Sequence, residues 1–314
     1  MSRRSCYQLS VLCCTILTIG QNVKAVDLMY VTETFSHVIS VRNTDGNLLY
    51  TFGSGYLSAP TGLVFDQSGN LYVANNGTNS ITKFDSNGNY TSTISSNLIQ
   101  PEGLAIDSSG NLYAANSGGD SVSKFDPSGN FIKSITINIH GPNGISFDSQ
   151  GYLYVASTGD NSISKFDPSG NYLSSINSNL YGPTGLAFSS NGDLYTSQYH
   201  GNWVSKFTIN DNFVAKFGSS SSLNYAKGMA FDALGNLYVA NSSGTISKFD
   251  SSQNLLWRIP SGSICPNYIA FQTVSVPEPS SFELAIIAAC TAVYLGRNNQ
   301  RQKARYAIHI LNIG

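Results

Sequence analysis

The chain has 314 residues, room for one large domain or two smaller ones, with a formal net charge of −1 and only 11% charged residues. Soluble domains carry about 25% charge, so solubility here falls to Asn, Ser, Thr and Gly. The basic field that would neutralise phosphates is missing, which excludes nucleic acid as an expected partner. At the N-terminus Arg3 and Arg4 precede "LSVLCCTILTIG", and Val23-Lys24-Ala25 supplies a small-x-small cleavage site. This is the layout of a signal peptide over residues 1–25, with Val26 as the first mature residue. The apolar centre is short for a membrane span, and the residues before Cys13 and Cys14 do not fit a lipid-attachment site. Of five cysteines, Cys265 and Cys290 remain after cleavage. They cannot build a disulfide framework, so packing must hold the fold.

Internal repetition organises the body. Copies beginning at Pro60, Pro101, Pro142 and Pro183 stand 41 residues apart, and a fifth begins at Lys227. The third copy reads "PNGISFDSQGYLYVASTGDNSISKFDPSGNYLSSI". It holds four short runs of alternating or apolar character, "GISFD", "YLYVAS", "SISKFD" and "NYLSSI", separated by turn-forming Asp, Ser, Gly and Asn. Four antiparallel strands in about 40 residues make a propeller blade, and a lone blade cannot bury both faces, so the copies must stack around an axis. Before Pro60, "LMYVTET…HVISVRNTDGNLLYTFG" matches strands two, three and four; after the fifth copy, "PNYIAFQ" matches a first strand. Together they complete a sixth blade. The sequence predicts an all-β fold: a six-bladed propeller over residues 26–273, closed by pairing of its N- and C-terminal strands.

The Pro-x-Gly-hydrophobic-x-Asp start, "GNLYVAN" and "SISKFD…GN" resemble the NHL-repeat family of six-bladed propellers. In many members of that family an Asp after the second strand pairs with an Arg before the third. Here the corresponding positions are read as Asn75, Asn116, Ser157, Ser197 and Asn241 against Ser80, Ser121, Ser162, Trp203 and Thr245. Neutral polar groups replace the charge pair and are expected to keep a hydrogen bond between turn and strand.

Residues repeated in every blade read as structural. Asp66, Asp107, Asp148 and Asp232, with Ser189 breaking the series, and Asp85, Asp126, Asp167 and Asp250 are turn formers whose side chains bond nearby backbone. Lys83, Lys124, Lys165, Lys206 and Lys248 are expected to cover a neighbouring blade with their ammonium groups in water. The following Phe84, Phe125, Phe166, Phe207 and Phe249 are expected in the core. No cofactor is expected, and no catalytic residue is assigned. His37, His140 and His200 fall in loops of one face and are weak candidates for a metal site, since each belongs to a different blade. Repeats of streptogramin-lyase type favour Trp-Phe-Thr-Glu where this chain has "LYVAN"; only "YVTET" around Glu33 approaches that pattern. The fourth copy inserts "SQYHGNW", making Tyr199, His200 and Trp203 candidate ligand-face residues that could stack on a sugar ring or a peptide.

The repeat stops after Phe271. Residues 274–281 form a linker containing Pro277, Glu278 and Pro279; residues 282–296 form an apolar, helix-compatible stretch; residues 297–314 carry Arg297, Arg301, Lys303 and Arg305. A helix over 282–296 would span about 22 Å, short of the roughly 30 Å hydrocarbon core, and the cations would hold its far end in the cytoplasm. This order resembles the PEP-CTERM sorting signal. The resemblance implies an exosortase-type processing enzyme as partner, a transmembrane-type helix before processing, and the cell surface or extracellular matrix of a Gram-negative bacterium as destination. The sequence thus points to a surface-sorted, non-enzymatic scaffold binding polysaccharide, peptide or a surface protein. The alternative is a propeller lyase or hydrolase acting outside the cell.

Overall fold

A computed structural model describes residues 23–261 and 265–277. It is an all-β, six-bladed propeller of four-stranded antiparallel blades. Asp27–Thr273 forms one compact unit. In the third blade the strands are Pro142–Phe147, Leu153–Ser157, Ser162–Phe166 and Tyr172–Ile176, hydrogen-bonded in that order. The other full blades begin with Pro60–Phe65, Pro101–Ile106, Pro183–Phe188 and Ala226–Phe231. These first strands contact one another around the axis. The fourth strands lie outermost, with mostly exposed side chains. The closing blade has the order Pro266–Pro277, Val23–Glu33, Val38–Arg42, Leu48–Phe52. The expected pairing of N- and C-terminal strands is therefore present, and it closes the ring.

The turns form where the sequence places Asp and Gly. At the turn after Phe125, Asp126 Oδ1 accepts from the amides of Ser128 and Asn130 at 2.9 and 2.8 Å, while Asn130 Nδ2 donates to Oδ2 at 2.9 Å. Gly129 sits at φ +87°, open to glycine and strained for other residues. The third strand then pairs with the fourth through a register shift at Lys124/Phe125 that recurs at the same place in every blade.

Buried apolar side chains of the described residues gather in six clusters, each between two successive blades. The expected core phenylalanines lie there, Phe125 and Phe166 fully buried and Phe84, Phe207 and Phe249 nearly so. Each contributes about 1.5–3 kcal/mol by leaving water. In the closing blade the register puts Arg42 where the others have Phe. It is buried and held by Ser40 Oγ, Gly46 O and Ser261 O, with Glu33, also buried, 4.0 Å away. Glu33, singled out above for its "YVTET" context, accepts from Ser40 Oγ at 2.8 Å and belongs to this internal network. It holds the second-strand end position of Asn75 and Asn116, opposite Val38 where they face Ser80 and Ser121, so the closing blade places a buried acid there and a cation at the far end of the next strand.

The strand Pro266–Pro277 reaches Pro277, within the stretch expected as extended linker. Residues 1–22 of the expected signal peptide 1–25, Glu278, Pro279, the apolar segment 282–296 and the basic cluster lie outside the described residues. Among the described residues no helix is long and apolar enough to cross a membrane.

Candidate functional site

An antiparallel meander sends its first-to-second and third-to-fourth turns to one face. Its second-to-third and fourth-to-first connections go to the other. On the turn face the lysines depart from expectation. Each stands opposite a second-strand tyrosine, Lys124 across from Tyr113 and Lys248 across from Tyr238, and lies over that ring at 4.8–5.4 Å. Each also reaches a carboxylate: Lys124 to Asp107 at 3.4 Å, Lys206 to Asp193 at 2.9 Å, Lys248 to Asp232 at 3.8 Å. The ammonium groups are paired because register and turn deliver a ring and an acid to the same spot. Where Ser189 breaks the Asp series, Asp193 supplies the missing carboxylate from the position that Asn holds in sibling turns. In the third blade, where Tyr152 takes that Asn position, Lys165 turns instead to Asp211 of the fourth blade at 3.2 Å. Two cavities open on this face, of about 180 and 460 Å³. They lie where the turn residue is Ser86 or Ser251 rather than the Pro127, Pro168 or Ile209 of the second, third and fourth blades.

The connection face holds a repeated clasp. The residue before each third strand takes a left-handed conformation and accepts the amide of the residue entering the next blade. The pairs are His37 Nδ1 with Ala59 N (2.8 Å), Asn79 with Gln100 (2.7 Å), Asp120 with Gly141 (2.7 Å), Asn161 with Gly182 (2.6 Å) and Asn202 with Tyr225 (3.0 Å). In the fifth blade the position is Gly244, which has no side chain to offer. His37 is thus the closing blade's version of an Asn. His140 bonds Asp160 at 2.6 Å, which raises its pKa. His200 lies between Tyr181 and Tyr199. The three candidate histidines have three separate settings, and among the described residues no group of three or more His, Cys, Asp or Glu could hold a metal ion.

Tyr199, His200 and Trp203 do come together. The loop that carries them is no insertion: Gln198 pairs with Trp203 as Asn75 pairs with Ser80, with four residues between them in both blades. The position read as Ser197 is therefore Gln198. The expected turn-to-strand hydrogen bonds exist, for example Asn75 Nδ2 to Ser80 Oγ at 3.3 Å and Asn116 Nδ2 to Ser121 Oγ at 3.2 Å. Two half-exposed tyrosines that the sequence reading missed extend the aromatic group. Tyr181 stacks with Trp203 (6.4 Å, 21°), and Tyr225 lies 5.2 Å from Tyr199. Lys216 places its ammonium 4.9 Å from the Trp203 ring. Tyr225 sits at φ +52°, a conformation that strains a bulky residue, where sibling blades have Ala59, Gln100, Gly141 and Gly182.

The axis carries a second set that the sequence reading missed. The first strands approach so closely that a Cβ on Gly62, Gly103, Gly144 or Gly185 would collide with the neighbouring strand's carbonyl oxygen. Position x of Pro-x-Gly therefore supplies the side chains around the axis. In ring order it reads Thr61, Glu102, Asn143, Thr184, Lys227, Asn267. Thr61 and Thr184 cap the carbonyls of Pro101 and Ala226 at 2.8 and 2.9 Å, tying blades together. Glu102 Oε1 accepts from Asn76 Nδ2 at 3.1 Å, and burial pushes its carboxyl up against the opposing field of Lys227. Tyr268, where the other blades have Gly, is buried beside Glu102, and that burial raises its phenol well above the ordinary range. Four buried side-chain atoms of the described residues lack a hydrogen-bond partner: Glu102 Oε2, Asn267 Oδ1, Tyr268 OH and Ser242 Oγ. Glu102 and Asn267 belong to this ring, Tyr268 follows Asn267, and Ser242 holds the loop position from which Asn76 reaches Glu102 in the first blade.

The sequence profile of the NHL repeat matches residues 57–84. Nothing among curated proteins matches. Among solved structures the chain is similar to one described as the nidogen/laminin complex, at 18% identity and TM-score 0.68, covering 78% of this chain and 98% of that one. It is also similar to a streptogramin B lyase (15%, TM-score 0.56, 76% and 74%). Virginiamycin B lyase from Staphylococcus aureus is a third (16%, TM-score 0.58, 77% and 89%). At these identities the likeness speaks for the fold alone, which hosts both binding proteins and lyases.

Proposed function

We propose that the chain is an exported, surface-sorted propeller that binds polysaccharide or a surface protein through its connection face. The observation that carries this reading is the half-exposed aromatic group of Tyr181, Tyr199, His200, Trp203 and Tyr225. Rings presented together beside amide and ammonium groups suit the apolar face and hydroxyl edge of a sugar. Export and sorting rest on the sequence: a signal-like N-terminus, then Pro277-Glu278-Pro279, an apolar stretch and a basic end, with an exosortase-type enzyme as processing partner. The expected location is the cell surface or matrix of a Gram-negative bacterium.

Two experiments test the two halves. A glycan array probed with the unaltered chain and with Trp203→Ala should give hits that the variant loses; an array without hits removes the sugar reading. Replacing Pro277, Glu278 and Pro279 with alanine should block C-terminal processing, seen by intact-mass measurement of the exported protein. An unchanged mature mass would sink the sorting proposal. A lyase or hydrolase is a second reading, favoured by Glu102, whose raised carboxyl beside Tyr268 has the chemistry of a general acid or base.

A further inference from the structure

The six x positions do not vary at random. Residues three blades apart face each other across the axis, and the ring order Thr61, Glu102, Asn143, Thr184, Lys227, Asn267 pairs Thr with Thr, Asn with Asn, and Glu with Lys. The threonines are engaged with backbone. Each asparagine gives its amide N–H to a loop hydroxyl, Asn143 to Thr158 at 3.1 Å and Asn267 to Thr34 at 3.0 Å, which turns its Oδ1 into the free end. Glu102 and Lys227 act on each other electrostatically yet form no ion pair, and Glu102 Oε2 has no donor. Lys227 has the edge of an aromatic contact, 5.9 Å from the centre of Tyr199. The ring is therefore a polar mouth with a carboxylate on one wall and an ammonium on the other.

Buried polar atoms without partners cost about 1–3 kcal/mol each, and native proteins retain few of them. Their concentration at one end of the axis calls for a ligand that donates to Glu102 Oε2 and Asn267 Oδ1. A simple cation would satisfy Glu102 but would meet repulsion from Lys227; a simple anion has the reverse difficulty. A molecule carrying both charges meets both walls. We propose that the axial mouth binds a small zwitterion of the amino-acid class, its ammonium on Glu102 and Asn267 and its carboxylate on Lys227. Tyr268, where the other blades have Gly, lies buried beside Glu102. This site adjoins the aromatic group where Lys227 meets Tyr199, but its test ligands carry no sugar ring, so their binding is read independently of sugar binding.

The test is calorimetric titration of the full chain with glycine, β-alanine and γ-aminobutyric acid, whose charges stand progressively further apart. Methylamine and acetate serve as half-ligands. At least one zwitterion should bind about tenfold or more tighter than either half-ligand. Glu102→Gln and Lys227→Met, checked for folding by circular dichroism, should each weaken it by about tenfold or more. The double exchange Glu102→Lys with Lys227→Glu should restore binding, because the ligand can turn end for end; a merely structural role would not be rescued. Absence of binding by all three zwitterions, methylamine binding as tightly as any of them, or undiminished binding in folded single variants would overturn the proposal.

Discussion

The two faces of the propeller are built from the same forty-residue unit, yet they use it in opposite ways. On the turn face the five full blades share one chemistry: a lysine pairs with an acid above a tyrosine ring, and in all but the fourth an acid folds the turn. Where a residue is lost, as at Ser189, another carboxylate takes over the contact. On the connection face the backbone frame repeats while the side chains diverge, from Asn76 and Ser117 to Tyr199, and from Gly182 to Tyr225. Substitutions on the turn face are offset nearby; on the connection face they accumulate on one side, over the fourth and fifth blades. Uniformity marks what holds the ring, and divergence marks what the ring can present.

The comparison can be broken most severely at the axis, on which both faces depend. Gly144→Val should cost about 3 kcal/mol or more, since its side chain would collide with the backbone of Thr184, which cannot rotate away. Urea unfolding should show it as a large drop in midpoint. A smaller effect separates frame from ligand surface within the connection face. Asn161→Ala, which opens one clasp, should cost about 1 kcal/mol, whereas His37→Asn should be close to neutral because Asn fills that place in sibling blades. A large loss from His37→Asn in a thermal melt would give that histidine a role beyond the clasp.

The smallest effect belongs to the turn face and is read by pH. Hydrogen bonds from the Asn89, Asn130, Asn171 and Asn254 side chains, followed by their main-chain amides, hold Asp85, Asp126, Asp167 and Asp250 below the usual carboxylate range. Their contribution is present above the unfolded value of about 3.9 and is lost as pH falls through the folded values. Unfolding midpoints measured between pH 6 and pH 2 should fall in that acid window, and Asp126→Asn should flatten the slope slightly. His140 runs the other way: its pKa is raised by Asp160, so its contribution is complete below the unfolded value and disappears as pH rises through the folded one.

Much of the frame was legible because repetition converts weak local signals into strong ones. The period, the four runs, the turn acids, the core phenylalanines and the composite blade all follow from aligning the copies. The same habit concealed the axial ring. Reading each unit for what it shared passed over x in Pro-x-Gly, although those six side chains meet only after the ring has closed. The clasp was hidden for a related reason: His37 looks like a metal ligand until its register equates it with Asn79. The lysine pairs were invisible because the acid and the cation lie in different runs, joined by pairing register rather than by spacing. Arg42 escaped notice since a cation in a position of buried phenylalanine contradicts the pattern used to find the core.

Gly244 and Arg42 share one boundary, between the fifth blade and the closing blade. Elsewhere neighbouring blades are joined by a clasp and a phenylalanine; at this joint the clasp has no side chain, and a guanidinium stands in for the ring. Directional bonds lace this joint instead: Arg42 to Ser261 O, Ala233 N to Asp27, and Tyr238 OH and Lys248 Nζ to Thr44 O. Such bonds break over a shorter stretch than apolar contacts slide, so a single-molecule pull across this joint should show a brittle opening at small extension.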